Sequence, residues 1–288
     1  MKNILLFISG LVLLAACGDP AVDVLSVEYD AKITVEGYVY PGEQIKDIIL
    51  TRNFRLEQPI DTSKIILLPT ENEVVASING TPLMFDPVSL TYYSNLTADY
   101  NTSYELVVKA KIEGRQLETS SVTTTPAPGF DLVQNNLGDV VYRSQPLEFG
   151  FKTSPGTDFY AFSIRADNPT LENFIYDNPY IPNLERKDVE DSFNEYRYQY
   201  NLLLNVDSYS SVPLEYEILG LDTWFYTSYT VIVYAGDRNF KDYLLTAKDV
   251  QQPDGNFVEP KFHFSGDGIG IFGSAIRDTL TFNLLPQN

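Results

Sequence analysis

The chain has 288 residues, of which 20 are Lys or Arg and 39 are Asp or Glu, so its formal net charge is −19. This acidic balance excludes a nucleic-acid-binding protein, which needs clustered basic residues, and it disfavours spreading on anionic lipid. A single cysteine excludes an intrachain disulfide, so the core must be held by burial alone. The 20 Tyr and 17 Phe favour strands over helices.

The first residues have the pattern of an export signal. Lys2 is followed by an apolar run over residues 4–16, and the run ends in small residues before Cys17. The run is shorter than the roughly 20 residues that cross a bilayer, so we expect residues 1–16 to be removed. The alternative is an ordinary signal peptide with an accidental cysteine.

The segment Leu14-Ala15-Ala16-Cys17 resembles the lipobox of bacterial lipoproteins. That resemblance implies acylation of Cys17, attachment to a membrane through this lipid, and a tether over residues 17–28. Gly18 follows the cysteine where an inner-membrane retention signal would have Asp, which favours the outer membrane. Asp19 and Asp23 hint at export to the surface, and the leaflet stays open.

The N-terminal half reads as short strands. Ile33, Val35, Gly37 and Val39 alternate with polar or aromatic positions from Lys32 to Tyr38. Further strands are predicted at 46–51, 64–68, 74–78, 83–85, 90–94, 104–112 and 116–124. Turn residues such as Asn79-Gly80 separate them, so an immunoglobulin-like β-sandwich is predicted over residues 29–125. Two prolines and a glycine then predict a linker at residues 126–130.

The C-terminal half, residues 131–288, predicts a second β-sandwich. Its strands are expected at 147–152, 159–165, 200–206, 214–219, 229–235 and 279–284. Residues 168–198 read as a polar insertion with a short acidic helix. A clearer helix is predicted at 238–251, because Asp237 suits an N-cap and an apolar stripe runs from Phe240 to Val250. The predicted fold class is therefore mainly β: two tandem immunoglobulin- or fibronectin-like sandwiches, the second with an insertion and one packed α-helix.

A sequence pattern that occurs once in each half supports two related sandwiches. Leu96 precedes the strand opening with Tyr104 by eight residues, and Leu221 precedes Tyr229 by the same distance. Each pair resembles the tyrosine corner of immunoglobulin and fibronectin domains, in which the tyrosine hydroxyl binds backbone groups upstream.

Catalytic patterns are not evident in the sequence. His263 is the single histidine, and its flanking Phe262 and Phe264 predict a structural or surface position. Nucleophilic hydrolysis needs an imidazole base and zinc needs several His or Cys ligands, so we predict no catalytic residue, no metal and no cofactor. The glycines from Gly268 to Gly273 match the dinucleotide fingerprint by letter but lack its strand–helix context. They predict a bend or bulge before the last strand.

Aromatic residues supply the candidate contact surface. Trp224, Phe225 and Tyr226 precede the second corner strand, and Tyr176 and Tyr180 lie in the insertion together with Tyr196 and Tyr198. Exposed aromatic clusters often bind sugars, peptides or proteins. Packing in the core is the alternative, and it is favoured because strands are rich in these residues.

The layout as a whole resembles a family of Bacteroidota lipoproteins of unknown function. The resemblance is carried by the lipobox, the strand Val35-Glu36-Gly37, the Thr-Pro linker, the helix around Tyr243 and the run from Gly268 to Ser274. It implies an outer-membrane lipoprotein, often encoded beside a TonB-dependent receptor, with no catalytic residues. Asp242-Tyr243 departs from the Tyr-Tyr of the family's helix, which leaves a neighbouring family open.

Three functions follow as hypotheses. The first is a non-enzymatic envelope lipoprotein that assists a TonB-dependent transporter through partner or ligand contacts. The second is a glycan- or peptide-binding surface module that acts alone. The third is a glycoside hydrolase that uses carboxylates only, which would need a pair of acids in an aromatic cleft.

Overall fold

The structure is a computed structural model that describes residues 29–55, 59–141, 147–178, 184–204, 206, 212–247 and 260–287. The fold is mainly β, and residues 31–288 form one compact unit. The N-terminal strands are β1 (Ile33–Val39), β2 (Ile49–Arg52), β3 (Val75–Ile78), β4 (Thr81–Pro82), β5 (Met84–Asp86), β6 (Thr91–Tyr93), β7 (Ser103–Ile112) and β8 (Arg115–Thr124). The later strands are β9 (Asp131–Leu132), β10 (Asn136–Val141), β11 (Leu147–Lys152), β12 (Phe159–Ala166), β13 (Tyr198–Leu204), β14 (Leu214–Ile218), β15 (Ser228–Gly236), β16 (Ser265–Gly266) and β17 (Gly268–Leu285). The helices are α1 (Arg186–Asp191), α2 (Phe193–Arg197) and α3 (Arg238–Thr246), with 3-10 turns at Thr62–Lys64 and Gly220–Asp222.

The largest sheet in the described part of the chain joins the two halves. Its strands lie in the order β13-β12-β15-β17-β1-β2, and β10 also pairs with β17. The first half of β17 runs parallel to β1, with Ile33 opposite Gly268 and Val39 opposite Ser274. The second half runs antiparallel to β15 and parallel to β10. The segment 265–274, which the sequence assigns to the second sandwich, therefore pairs with strands of the first.

The N-terminal half forms around alternating apolar positions. β1 buries Ile33, Val35 and Val39, as predicted. β7 and β8 pair along their full length, and β7 buries every second residue from Tyr104 to Ile112. β16 extends the same sheet by pairing with β8. The predicted strand at 64–68 is wrong: a 3-10 turn ends at Lys64, and after it Ile66 forms only an isolated bridge with Thr51.

The C-terminal half buries a large aromatic core between two sheets. One wall is the inner face of β12, β15 and the second half of β17, and the other is the sheet of order β14-β11-β9. Across this space the rings of Phe162 and Tyr216 stack with centroids 4.2 Å apart. Phe151 contacts Phe162 edge-on at 5.8 Å. The two walls therefore make the sandwich that the sequence predicts for this half.

Both predicted tyrosine corners are confirmed. The Tyr104 hydroxyl accepts a hydrogen bond from the Asp99 N–H at 2.7 Å. The Tyr229 hydroxyl accepts from the Trp224 and Phe225 N–H groups, at 3.0 and 2.9 Å, and donates to the Phe225 carbonyl. A similar contact that the sequence analysis missed ties the Tyr160 hydroxyl to the Ser154 N–H at 2.8 Å.

The glycine-rich segment before the C-terminus is a strand, and the predicted bend or bulge is wrong. β17 runs without a break from Gly268 to Leu285, in register with β1. Gly270 lies in this strand with φ +104°, and a Cβ built there would lie 2.1 Å from the Val35 carbonyl oxygen. The glycines thus permit a close approach of two backbones within the sheet.

The helix α3 lies on the outer face of the large sheet. Its N-cap is Asp237, whose side chain accepts from the Phe240 N–H, as the sequence predicts. Phe240 packs against Phe159 of β12, with ring centroids 6.0 Å apart. Residues 248–251 of the predicted helix lie outside the described residues. On this outer face the helix leaves part of the sheet uncovered, which is where the candidate site lies.

Candidate ligand-binding face

The aromatic residues around Trp224 are part of the core, so the candidate contact surface there is wrong and the favoured alternative, packing in the core, is confirmed. Trp224 is 3% exposed and Phe225 is fully buried, so neither side chain can contact a ligand. Tyr226 and Tyr176 are partly buried and pack against the same core. The reason is the corner at Tyr229, which holds the backbone of residues 224 and 225 against the sandwich.

The insertion completes this packing. Phe174 stacks on Trp224 with centroids 5.9 Å apart, and Tyr196 of α2 contacts Trp224 at 4.9 Å. The insertion therefore closes one end of the sandwich. Tyr198 is 39% exposed at the start of β13. Tyr180 and Cys17, the remaining predicted contact and lipid-attachment residues, lie outside the described residues.

A different aromatic group lies partly exposed on the outer face of the large sheet. We call it the tyrosine face and define it as Tyr38, Tyr40, Tyr234 and Phe240. Tyr38 and Tyr40 stack with centroids 6.4 Å apart and an interplanar angle of 20°. Phe240 contacts Tyr38 at 5.8 Å and Tyr234 at 5.6 Å. These four rings, with Ser163 and Leu244, line a shallow cavity of about 190 Å³.

Strand alternation and register bring these rings together. Because β1 turns Ile33, Val35 and Val39 inward, Tyr38 and Tyr40 point to the opposite face. In the same way β15 buries Val231 and Val233 and turns Tyr234 outward. Gly273 lies opposite Tyr38 in the pairing of β1 with β17. Lacking a side chain, Gly273 lets the backbone of Phe240 approach to within about 3.4 Å of where a Cβ would lie.

An ion pair closes one end of the tyrosine face. The Arg277 guanidinium donates to both carboxylate oxygens of Glu43, at 3.1 and 2.7 Å. Its central carbon lies 3.9 Å from the Tyr40 ring centroid, which is a cation–π contact. Two donors held in this planar fork fix the guanidinium over the ring.

The hydroxyls of Tyr38 and Tyr40 stay protonated. Burial raises the pKa of Tyr40 to about 12 and that of Tyr38 further, and the Glu36 carboxylate adds to the rise at Tyr38. Burial, with Glu36 as the second cause, also raises the pKa of Tyr243 on α3. At physiological pH the face therefore offers neutral hydroxyls that can both donate and accept hydrogen bonds.

A wider cleft, of about 560 Å³, lies between residues 124–127 and the N-terminus of α3. Its most buried acid, Asp237, accepts hydrogen bonds from the Thr123 hydroxyl and from the N–H groups of Phe240 and Ser274. At its rim Lys241 pairs with Asp158 at 2.8 Å. Because these polar groups already bind one another, the cleft is a structural junction between the two halves.

The single histidine does not assemble a catalytic or metal site. His263 Nε2 lies 2.8 Å from the Asp242 carboxylate, and Arg238 approaches the same carboxylate at 3.6 Å. Among the described residues no three His, Cys, Asp or Glu side chains converge on a point that could hold a metal ion. His263 therefore lies in a hydrogen-bonded, partly exposed contact with Asp242, in line with the sequence expectation.

Comparison with known families and with curated proteins finds no match. Solved structures with distant similarity include a chimeric titin Z1Z2 that carries a decorin peptide. It is 12% identical, the match covers 89% of this chain and 94% of that chain, and the TM-score is 0.22. The N-terminal domains of the bacteriophage RB49 outer capsid protein Hoc match at 9% identity over 90% of this chain and 71% of that chain, with a TM-score of 0.24. A SusE-like surface-located polysaccharide-binding protein from the Bacteroides thetaiotaomicron heparin utilisation locus matches at 9% identity, covering 90% and 35% of the two chains, with a TM-score of 0.21. TM-scores this low support no inference about function.

In the described residues, no helix is both long and apolar enough to cross a membrane.

Proposed function

We propose that the protein is a non-catalytic glycan-binding module of the cell envelope and that the tyrosine face is its binding surface. The observation that carries the proposal is the group of Tyr38, Tyr40 and Tyr234 around a cavity on a sheet face. Partly exposed aromatic rings grouped in this way are typical of binding sites.

The location on a sheet face favours a sugar over a peptide. Extended peptides bind proteins by adding a strand to a sheet edge, where backbone groups are free. β1, β15 and β17 are inner strands of the large sheet, so the tyrosine face presents rings and hydroxyls and not the edge of the sheet. Those groups suit the flat apolar face and hydroxyl rim of a sugar ring.

The size of the cavity sets the size of the bound group. Sites for drug-sized ligands have volumes of about 300–1,000 Å³, whereas this cavity measures about 190 Å³. It therefore suits one sugar ring at a time, with the rest of the glycan on the open surface.

The charged groups at the face support binding without catalysis. Glycoside hydrolysis requires one carboxyl group that gives a proton and a second that acts as nucleophile or base. Glu43 is engaged by two hydrogen bonds from Arg277. This contact leaves Glu43 poorly placed to act as a proton donor.

Tyr234→Ala is expected to weaken glycan binding about tenfold, because loss of one stacked ring removes on the order of 1 kcal/mol or more. Isothermal titration with an oligosaccharide selected on a glycan array measures this change. Tyr100→Ala is the matched control, since Tyr100 is 44% exposed and lies outside the tyrosine face. An array that binds no glycan, or equal affinity in wild type and Tyr234→Ala, would refute the proposal.

The location of the protein in the cell envelope stays a prediction from the sequence. We expect the wild-type protein to incorporate radiolabelled palmitate in bacterial cells and Cys17→Ala to incorporate none, because the thiol is the acylated atom. The variant should also leave the membrane fraction. Equal labelling of both proteins would contradict lipid attachment at Cys17.

Association with a TonB-dependent transporter is the second proposal, and it is favoured only by the resemblance described above. Such a transporter should co-purify from detergent-solubilised outer membrane. Repeated recovery of the lipoprotein without any receptor would count against it.

A further inference from the structure

The end of the tyrosine face opposite Arg277 carries a carboxylate with no cation beside it. Glu36 lies on β1 two residues before Tyr38, on the same outward side of the strand, and is exposed. Among the described residues, none forms a hydrogen bond or an ion pair with its carboxylate. Burial, and after it the charge of Glu36, raises the pKa values of the Tyr38 and Tyr243 hydroxyls.

At the other end of the tyrosine face, a tyrosine ring and a carboxylate bind a cation. There Arg277 places its guanidinium 3.9 Å from the centre of Tyr40 and pairs with Glu43. A ring face and a carboxylate together thus bind a cation within the protein itself. Tyr38 and Glu36 supply the same two kinds of group, a ring and a carboxylate, two residues apart on one side of β1.

The neighbouring cations are engaged elsewhere. Lys32, on the same strand, lies 3.7 Å from the Asp267 carboxylate. On α3, Arg238 approaches Asp242, and Lys241 pairs with Asp158. A net charge of −19 further favours the approach of a cation over that of an anion.

We propose that Glu36, with the ring of Tyr38, binds the protonated amine of an amino sugar. This inference rests on the proposed function, because it identifies the class of glycan that the tyrosine face selects. The sugar ring lies in the cavity beside Tyr38, and its ammonium group contacts the Glu36 carboxylate and the Tyr38 ring. A neutral sugar, or one whose amine is acetylated, makes only the stacking contacts.

The test uses a matched pair of ligands, the β-1,4-linked glucosamine trimer and its fully N-acetylated form, titrated at pH 6, where an aliphatic amine is protonated. The wild type should bind the amine form about tenfold more tightly at low ionic strength, the size expected for one exposed cation–π contact plus one exposed ion pair. Added salt should reduce this preference.

Glu36→Gln should abolish the preference and leave binding of the N-acetylated trimer unchanged. Glu148→Gln is the matched control, because it makes the same change in net charge on β11, outside the large sheet. A preference that persists in Glu36→Gln, or that is absent in the wild type, overturns the inference. If the inference is overturned in this way but the wild type still binds the N-acetylated trimer, the proposed glycan-binding function is not affected.

A second measurement separates failure of the inference from failure of glycan binding. Titration with trimethylammonium alone is followed through the ring proton shifts of Tyr38, which are assigned with Tyr38→Phe. Shifts in the wild type that disappear in Glu36→Gln support the cation site even where no glycan binds. Their absence in the wild type overturns it.

Discussion

Gly270→Ala is expected to lower the free energy of unfolding by about 3 kcal/mol or more, the range of a strained backbone position combined with a close backbone contact. Gly270 has φ +104°, which a side chain disfavours, and its Cβ would lie 2.1 Å from the Val35 carbonyl oxygen. Val35 cannot move away easily, because β1 is paired with β2 on one side and with β17 on the other. Urea denaturation measures the loss.

Gly80→Ala is the matched control for this substitution. Gly80 also has a positive φ, +77°, but nothing lies within 4 Å of its Cβ position. Gly80→Ala should therefore lower the free energy of unfolding by only about 1–2 kcal/mol, the cost of a side chain at a positive φ. Equal losses in the two variants would show that the approach of β17 to β1 contributes nothing.

The same experiment tests whether the two halves unfold together. Trp224, the single tryptophan, lies in the core of the C-terminal half, whereas Gly270 pairs with β1 of the N-terminal half. Because β17 belongs to both halves, tryptophan fluorescence and far-ultraviolet circular dichroism should report one coincident transition. A fluorescence transition that stays at the wild-type midpoint in Gly270→Ala would show that the halves unfold separately.

Asp237→Ala is expected to destabilise the protein by about 2–4 kcal/mol, the sum of a lost helix cap and of donors left without an acceptor. The carboxylate accepts from the Phe240 N–H at 2.9 Å, the Ser274 N–H at 3.1 Å and the Thr123 hydroxyl at 2.5 Å. These donors belong to α3, β17 and β8, so one side chain joins the two halves. Asp237→Asn keeps an acceptor at the cap and should lose less than half as much; an equal loss would contradict this role.

The dependence of this contribution on pH has a definite sign. Burial raises the pKa of Asp237 above its ordinary value, and the donated hydrogen bonds only partly offset this. The folded protein therefore holds the proton more tightly than the unfolded chain. The stability that comes from this tighter proton binding is complete below the ordinary aspartate pKa of about 3.9. It is lost as the pH rises through the raised pKa of the folded protein.

Comparison with Asp237→Asn isolates this effect from other titrating groups. The asparagine is neutral throughout, so the stability of the wild type relative to this variant should fall as the pH rises above the ordinary aspartate pKa of about 3.9. A relative stability that rises with pH above this value would contradict the raised pKa.

The features that the sequence predicts correctly depend on short stretches of chain. The inward face of β1 follows from alternation over seven residues. The corner at Tyr229 reaches back only four and five residues, and the cap by Asp237 reaches forward three. In each case the interacting groups are neighbours along the backbone, so their spacing specifies the contact.

The corresponding errors concern contacts between distant residues. The glycines of β17 indicate a bend when read locally, but they permit a backbone approach to Val35, more than 200 residues earlier. Trp224 and Phe225 have the composition of a binding surface, and they become core because the insertion and the Tyr229 corner enclose them. Nothing in the local pattern of either segment specifies these partners.

By itself the sequence determined the mainly β fold class, the strand faces, the tyrosine corners and the helix start, because alternation and short-range hydrogen bonding act within a few residues. Only the tertiary structure decided that one long C-terminal strand serves both halves, and that Tyr38 and Tyr40 of β1 meet Tyr234 of β15 and Phe240 of α3 around one cavity. The physical reason is register: which residues share a sheet face across strands depends on pairings far apart in the chain, and alternation within one strand does not specify its partner.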